Sequence, residues 1–258
     1  MKHPKILWSL LAIVSVLLTL LMFLPASWMG SLLDKQTNGR LSLGDTQGSF
    51  WNGSGFLGVA ADQNSPVAPL FPGRFSWKVS PKLLLGQIDV EINNHEVFDH
   101  AVNIVGDFSQ WQVSENSMKL PPERLEGLGA PLNTIGPSGK LTLSWKQLDF
   151  ILIDALVNIH GKMQLDMQEM ASRISSIKPL GSYQLSFNWL GSKADLQLST
   201  TQGPLMLEGR GGLQNGRLQF SGKAYASAEQ EERLAGLLNL LGRRRQEGNK
   251  QVIALEFK

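Results

Sequence analysis

The 258-residue chain has no cysteine. Disulfides, thiolate nucleophiles and cysteine-ligated zinc are therefore excluded. Histidine is nearly as scarce, with four in the chain, and His3 precedes a long apolar run. The segment "HEVFDH" places His95 and His100 five positions apart. A zinc-protease helix needs histidines at i and i+4 on one face. A spacing of five puts them on opposite faces of a strand, or about 140° apart on a helix. His160 alternates with Ile159 and reads as solvent-facing. No serine sits in a G-x-S-x-G elbow, and no carboxylate pair stands out from surface alternation. No catalytic constellation, metal or cofactor is expected. The formal charge is only +2, which argues against a general nucleic-acid binder.

Long apolar runs are also absent, with one exception. "ILWSLLAIVSVLLTLLMFL", residues 6–24, carries no charge and lies within the range needed to cross a bilayer core of about 30 Å. Trp8 and Trp28 are spaced to reach the two interfaces of a continuous helix. Lys2 and Lys5 before the run favour a cytoplasmic amino terminus. The competing reading is a cleaved signal peptide, but "LPASWMGS" is a poor cleavage site and the run is long for one. The expectation is a cytoplasmic tail (1–5), a single-pass inner-membrane anchor (6–24), a linker (25–39) and a periplasmic domain (40–258). Ser9, Ala12, Ser15 and Thr19 fall on one third of the anchor's circumference, a small-residue face for a partner helix.

Period-2 alternation dominates the exported part. "QIDVEIN", "GKLTLSW", "GKMQLDMQ", "SYQLSFNW" and "GRLQFSGKA" each send apolar residues one way and polar residues the other, as in antiparallel sheets with one wet face. The inward set includes Ile88, Val90, Ile92, Leu141, Leu143, Met163, Leu165, Leu185, Phe187, Leu218 and Phe220. Asn215-Gly216 signals a hairpin. Ser76-Trp77-Lys78 and Ser144-Trp145-Lys146, each followed by an alternating segment, suggest two β units, about 40–150 and 151–258. Two short helices are expected. One lies in "PPERLEGLG". The other lies in "SAEQEERLAGLLNLLG", with a Ser227/Gln230 capping box, a Leu234/Leu237/Leu238/Leu241 stripe and Gly242 as its stop. This stripe should cap the concave side or an open end of the sheet. "QVIALEF" reads as the last strand. The predicted fold is mainly β, a curved antiparallel sheet (half-barrel or sandwich) behind one transmembrane helix.

"GDTQGSFWNGSGFLG" contains Gly53-x-Gly55-x-x-Gly58, the spacing of a dinucleotide-binding loop. That motif needs a buried strand before it and a helix after it. Gly44 and Gly48 interrupt the upstream segment, and three prolines follow downstream. The glycines instead flank a bulky Phe50-Trp51 pair, read as a plug in the mouth of the sheet. Arg243, Arg244 and Arg245, with Lys250, follow the leucine-rich helix. They read either as a solvated turn complementing the helix dipole or as a surface for an acidic partner or anionic headgroups.

Placed in order, these pieces resemble the protein N family of the type II secretion system. Gly48, Trp51 and Gly53 match its G-x-x-W-x-G, and Trp77 and Pro81 match its W-x-x-x-P. "PLGSYQLSF", "GPLMLEGRGGLQNGRLQFSGKA" and "LLNLLGRRRQEG" extend the similarity along most of the exported chain. The resemblance implies a non-enzymatic, inner-membrane-anchored part of the machine that moves folded proteins across the outer membrane, with other inner-membrane and periplasmic secretion components as partners. AsmA-like proteins, which carry lipid in an apolar β-groove, are the alternative. The seven tryptophans favour a filled face over an open one.

Overall fold

The computed structural model describes residues 4–60, 67–128, 132–154, 156–214, 217–228, 230–241, 243–247 and 250–257. The side chains of residues 4–7, 127, 128, 132, 240, 241, 243, 244, 250, 251 and 257 lie outside that description.

The apolar run forms α1, Pro4–Met22. Pro25 follows, and the residue before a proline is pushed out of the helical region, so the helix stops. Trp28 therefore sits on a second helix, α2, Ser27–Gln36, and not on the continuous helix that the Trp8–Trp28 spacing implied. The stretch read as a linker is largely this helix. Among the described residues no helix is long and apolar enough to cross a membrane.

Among the described residues the strands form a single 17-stranded sheet, in which every pairing is antiparallel. The sandwich alternative would need two sheets. The first half holds β1 (Leu41–Gly48), β2 (Asn52–Val59), β3 (Ala68–Pro69), β4 (Phe75–Val79), β5 (Gln87–Asn93), β6 (Val102–Asp107), β7 (Gln110–Val113), β8 (Asn116–Leu120), β9 (Pro137–Trp145) and β10 (Leu148–Ile153). The second holds β11 (Leu156–Ser172), β12 (Gly181–Gly191), β13 (Lys193–Gln202), β14 (Leu205–Gln214), β15 (Arg217–Ala226), β16 (Arg243–Glu247) and β17 (Lys250–Phe257). β11 joins the halves. One of its edges pairs with β12. The other forks: Leu156–His160 pair with β10 and Met163–Ser172 with β9. β1 and β16 end the ribbon, so the sheet is open.

The strands expected from alternation are present, and the turn at Asn215-Gly216 lies outside the described residues between strands that pair Gln214 with Arg217. The "PPERLEGLG" helix is a 3-10 helix, Pro122–Leu128. The leucine-rich helix, α4, starts at Glu231 and ends at Leu241, after the four-residue helix α3 (Leu132–Ile135). Its start departs from the capping box. Ser227 N donates to Pro204 O (2.7 Å) and Ser227 O accepts from Gln230 N (3.1 Å), so Ser227 ends β15 in a turn. Gly242 lies outside the described residues. The arginine run also departs from expectation: it is strand β16, paired with β17.

Among the described residues two clusters of buried apolar side chains form. Ala26, Trp77 and Val79 form one core, with Met29, Leu43, Phe50, Trp51, Leu83 and Val90 packed around it. Ile177, Leu180, Leu205, Ala224, Ala226 and Ile253 form the other beneath Leu234, Leu237 and Leu238 of α4. Accordingly α4 caps one end of the sheet; Leu241's side chain is outside the description. Of the eleven inward residues named above, Leu141 is buried, Leu218 is exposed and the other nine are half-buried. The accessible surface, 16447 Å², compares with roughly 11,000 Å² for a compact monomer of this size. The single-layered sheet and the exposed side chains of α1 both contribute to the excess.

Candidate functional site

The glycine-rich segment is a tight hairpin between β1 and β2, in which Gly48 pairs with Gly53. A strand, β1, precedes the glycine run, but it has no buried residue and its register shifts between Gly44 and Gln47, so it is not the buried strand that the dinucleotide motif needs. The run itself is a strand and not a helix start, so no phosphate cradle forms. Gly48 has φ 85°, in the left-handed region that glycine enters without steric cost. Gly53 is required for a different reason. A Cβ there would lie 2.6 Å from both Ser49 O and the Trp77 ring.

The hairpin turns Phe50 and Trp51 back onto the end of α1. Trp51 Nε1 donates to Leu21 O (2.7 Å), Phe50 N to Leu24 O (2.8 Å), and Ala26 N to Gly48 O (3.2 Å). Leu21 is in the last turn of α1, whose carbonyls have no intrahelical partner. Trp77, on β4, donates its own Nε1 to Phe50 O (3.0 Å). Trp51 O accepts from Val79 N (2.7 Å), and the Phe50 and Trp51 rings meet edge to face at 5.2 Å. Pro81 begins the 3-10 helix Pro81–Leu85, and the Ser80 hydroxyl accepts from Lys82 N. Phe50 and Trp51 are thus a clasp between helix and sheet, where the sequence suggested a plug in the mouth of the sheet.

The other predicted positions are dispersed. Trp8, Ser9, Ala12, Ser15 and Thr19 are exposed on α1, and Thr19 donates its hydroxyl to Ser15 O. Trp28 is exposed on α2. Lys2 lies outside the described residues, and the side chains of Lys5, Arg243 and Arg244 outside the description. Arg245 is exposed and pairs with Glu256 (3.3 Å). Nearby, Lys223 sits between Glu208 (3.3 Å) and Glu247 (3.1 Å), whose carboxylates hold its ammonium above the usual lysine range. His100 contacts Glu115 O (2.9 Å) and His95 contacts Asn93. Among the described residues no group of three or more His, Cys, Asp or Glu gathers to hold a metal ion.

Fold and clasp together define a class: an open antiparallel β-sheet protein whose apolar amino-terminal helix is fastened to its first hairpin. The model of one family, described as type II secretion system (T2SS), protein N, matches residues 39–252, and the chain belongs to that family. It is thus a component of a protein-transport system. No curated protein and no solved structure matches it.

Proposed function

We propose that the chain is a non-enzymatic inner-membrane component of a type II secretion system, taking part in export of folded periplasmic proteins across the outer membrane through protein–protein contacts. α1 is its single-pass anchor, with the amino terminus cytoplasmic and the sheet periplasmic. The family match over residues 39–252 carries the reading. Support for the anchor comes from α1 itself, where every described side chain from Trp8 to Leu20 is exposed. Leu10, Leu11, Ile13, Val16 and Leu17 point around most of its circumference. A helix apolar nearly all round and left uncovered by its own protein is suited to lipid or to other helices. The stripe Ser9, Ala12, Ser15 and Thr19 then offers close approach to a partner helix. A photo-crosslinker at Ala12 or Arg245, in cells making the whole secretion system, should trap another of its components. No adduct at either position would reject the proposed contacts.

The half-buried apolar face favours a second reading, binding of a lipid along the sheet as in AsmA-like proteins. Photoreactive phospholipid crosslinking at Leu165 or Phe187, in mid-sheet, would support it. Labelling confined to α1 would dismiss it.

A further inference from the structure

The registers place the turns of the sheet on two rims. β10 ends and β11 begins on the same rim as the β6–β7 turn, the Pro81–Leu85 helix before β5, and the β12–β13 turn. The Gly48–Gly53 hairpin lies on this rim too, since β2 starts opposite the end of β4. The carboxyl end of α1 is therefore fastened there.

This rim is apolar. Leu84 and Leu85 of the 3-10 helix, Phe108 between β6 and β7, Ile153 and Leu156 at the β10–β11 hairpin, and Leu190 at the end of β12 are 52–82 % exposed. From β5 to β12 they extend over five strand spacings, ~24 Å. The opposite rim presents His95, Glu96, Asp99 and His100 before β6, Arg173 and Lys178 before β12, and Gln202 at the end of β13, all exposed. Its exposed large apolar side chains among the described residues are Val67 and Ile174. Large apolar side chains gathered on one edge of a protein mark a contact surface. Only one candidate occupant is adjacent by construction, the bilayer surface from which α1 emerges.

We propose that this rim is a second membrane-contact surface, seating the turns that carry Leu85, Phe108, Ile153, Leu156 and Leu190 in the lipid headgroup region around the exit point of α1. The proposal rests on the reading of α1 as an anchor. The depth is interfacial, about 5–10 Å, because Asp154 occupies the tip of the β10–β11 hairpin and Lys82 and Lys193 are exposed beside the other turns. The clasp gives the geometry its purpose. Hydrogen bonds from Trp51 and Phe50 to Leu21 and Leu24 fix the end of α1 on the rim, so the sheet is held close to the bilayer, with its polar rim directed away.

The absence of cysteine makes the test direct, since one introduced thiol is the sole labelling site. Full-length Phe108→Cys, Ile153→Cys, Leu190→Cys, Gln202→Cys and Ile13→Cys would each carry an environment-sensitive fluorophore. Each would be reconstituted into phosphatidylethanolamine/phosphatidylglycerol vesicles, with or without headgroup-level nitroxide lipid. The expected result is blue-shifted emission, quenched by the nitroxide lipid, at 108, 153 and 190, with none at 202. Rim labels that report water while the label at 13 is lipid-embedded would overturn the rim proposal and leave the anchor standing. A label at 13 in water would overturn both. Rim labels shielded from lipid and from an aqueous quencher alike would assign the rim to a protein partner and reject the membrane contact.

Discussion

The two buried regions are built from different materials. At the amino-terminal end the core is aromatic and directional: Trp77 and Trp51 each pack a ring and spend an indole N–H on a backbone carbonyl. At the other end the core is aliphatic, with Leu234 fully buried and Leu237 and Leu238 beside it over Leu205, Ala224 and Ile253. Aliphatic packing stabilises without fixing orientation, because it is non-directional. Indole hydrogen bonds to carbonyls of a helix end fix both distance and angle. The aliphatic end therefore closes the sheet, whereas the aromatic end sets how the helix meets it.

Truncating each core gives the largest expected effects. Trp77→Ala should destabilise the chain by ~3–5 kcal/mol and Leu234→Ala by ~2–5 kcal/mol, read by denaturant or thermal melts. The two cores share no residue, so the double variant should equal the sum within about 0.5 kcal/mol. A larger coupling would mean that the ends are one cooperative core and would dissolve the comparison.

Substitution at Gly53 should come next. Gly53→Ala forces a methyl onto the Trp77 ring and Ser49 O, an overpacking that costs ~1–3 kcal/mol. In Trp77→Ala the ring is gone, and the added penalty at Gly53 should shrink. An unchanged penalty would place the clash on Ser49 alone.

A smaller change tests the aliphatic end. Tyr183 is buried there and donates its hydroxyl to Leu205 O (3.0 Å), so burial raises its pKa above that of a free tyrosine. The folded state thus holds this proton more tightly than the unfolded chain. That contribution is complete below the unfolded pKa, about 10, and is lost as pH rises towards the folded value. Tyr183→Phe should cost about 1 kcal/mol at neutral pH and flatten the alkaline limb of stability against pH. An unaltered limb would point to other groups.

Much of the sheet was legible because alternation is local. β5, β9, β12 and β15 follow from it directly. The fork on β11 was not legible, since its partners β9 and β10 are chosen by long-range register and both read as ordinary strands. α2 was missed because "SWMGSLLDKQ" is short and weakly patterned; it is stabilised by lying along β1. β16 was missed because three consecutive arginines mask alternation. Glycine spacing located the clasp, yet its reason could not be read: a sequence does not reveal that Trp51 reaches a carbonyl 30 residues upstream. The useful signal was the pair Gly48 and Gly53 bracketing two bulky residues, which implies a hairpin with room on one side only.

The finest test isolates that hydrogen bond. Trp51→Phe keeps an aromatic ring against Phe50 but removes the only donor that Trp51 directs at Leu21 O. Loss of one hydrogen bond to the half-buried Leu21 carbonyl is worth about 0.5–1.5 kcal/mol. That cost should appear in the full chain. In a variant from which residues 1–24 have been deleted, the acceptor is gone and the substitution should change stability by less than the full-chain cost, leaving only the difference between the two rings. If instead the cost is the same with and without α1, Trp51 acts through ring packing alone, and the amino-terminal core would be no more directional than the aliphatic one at the other end.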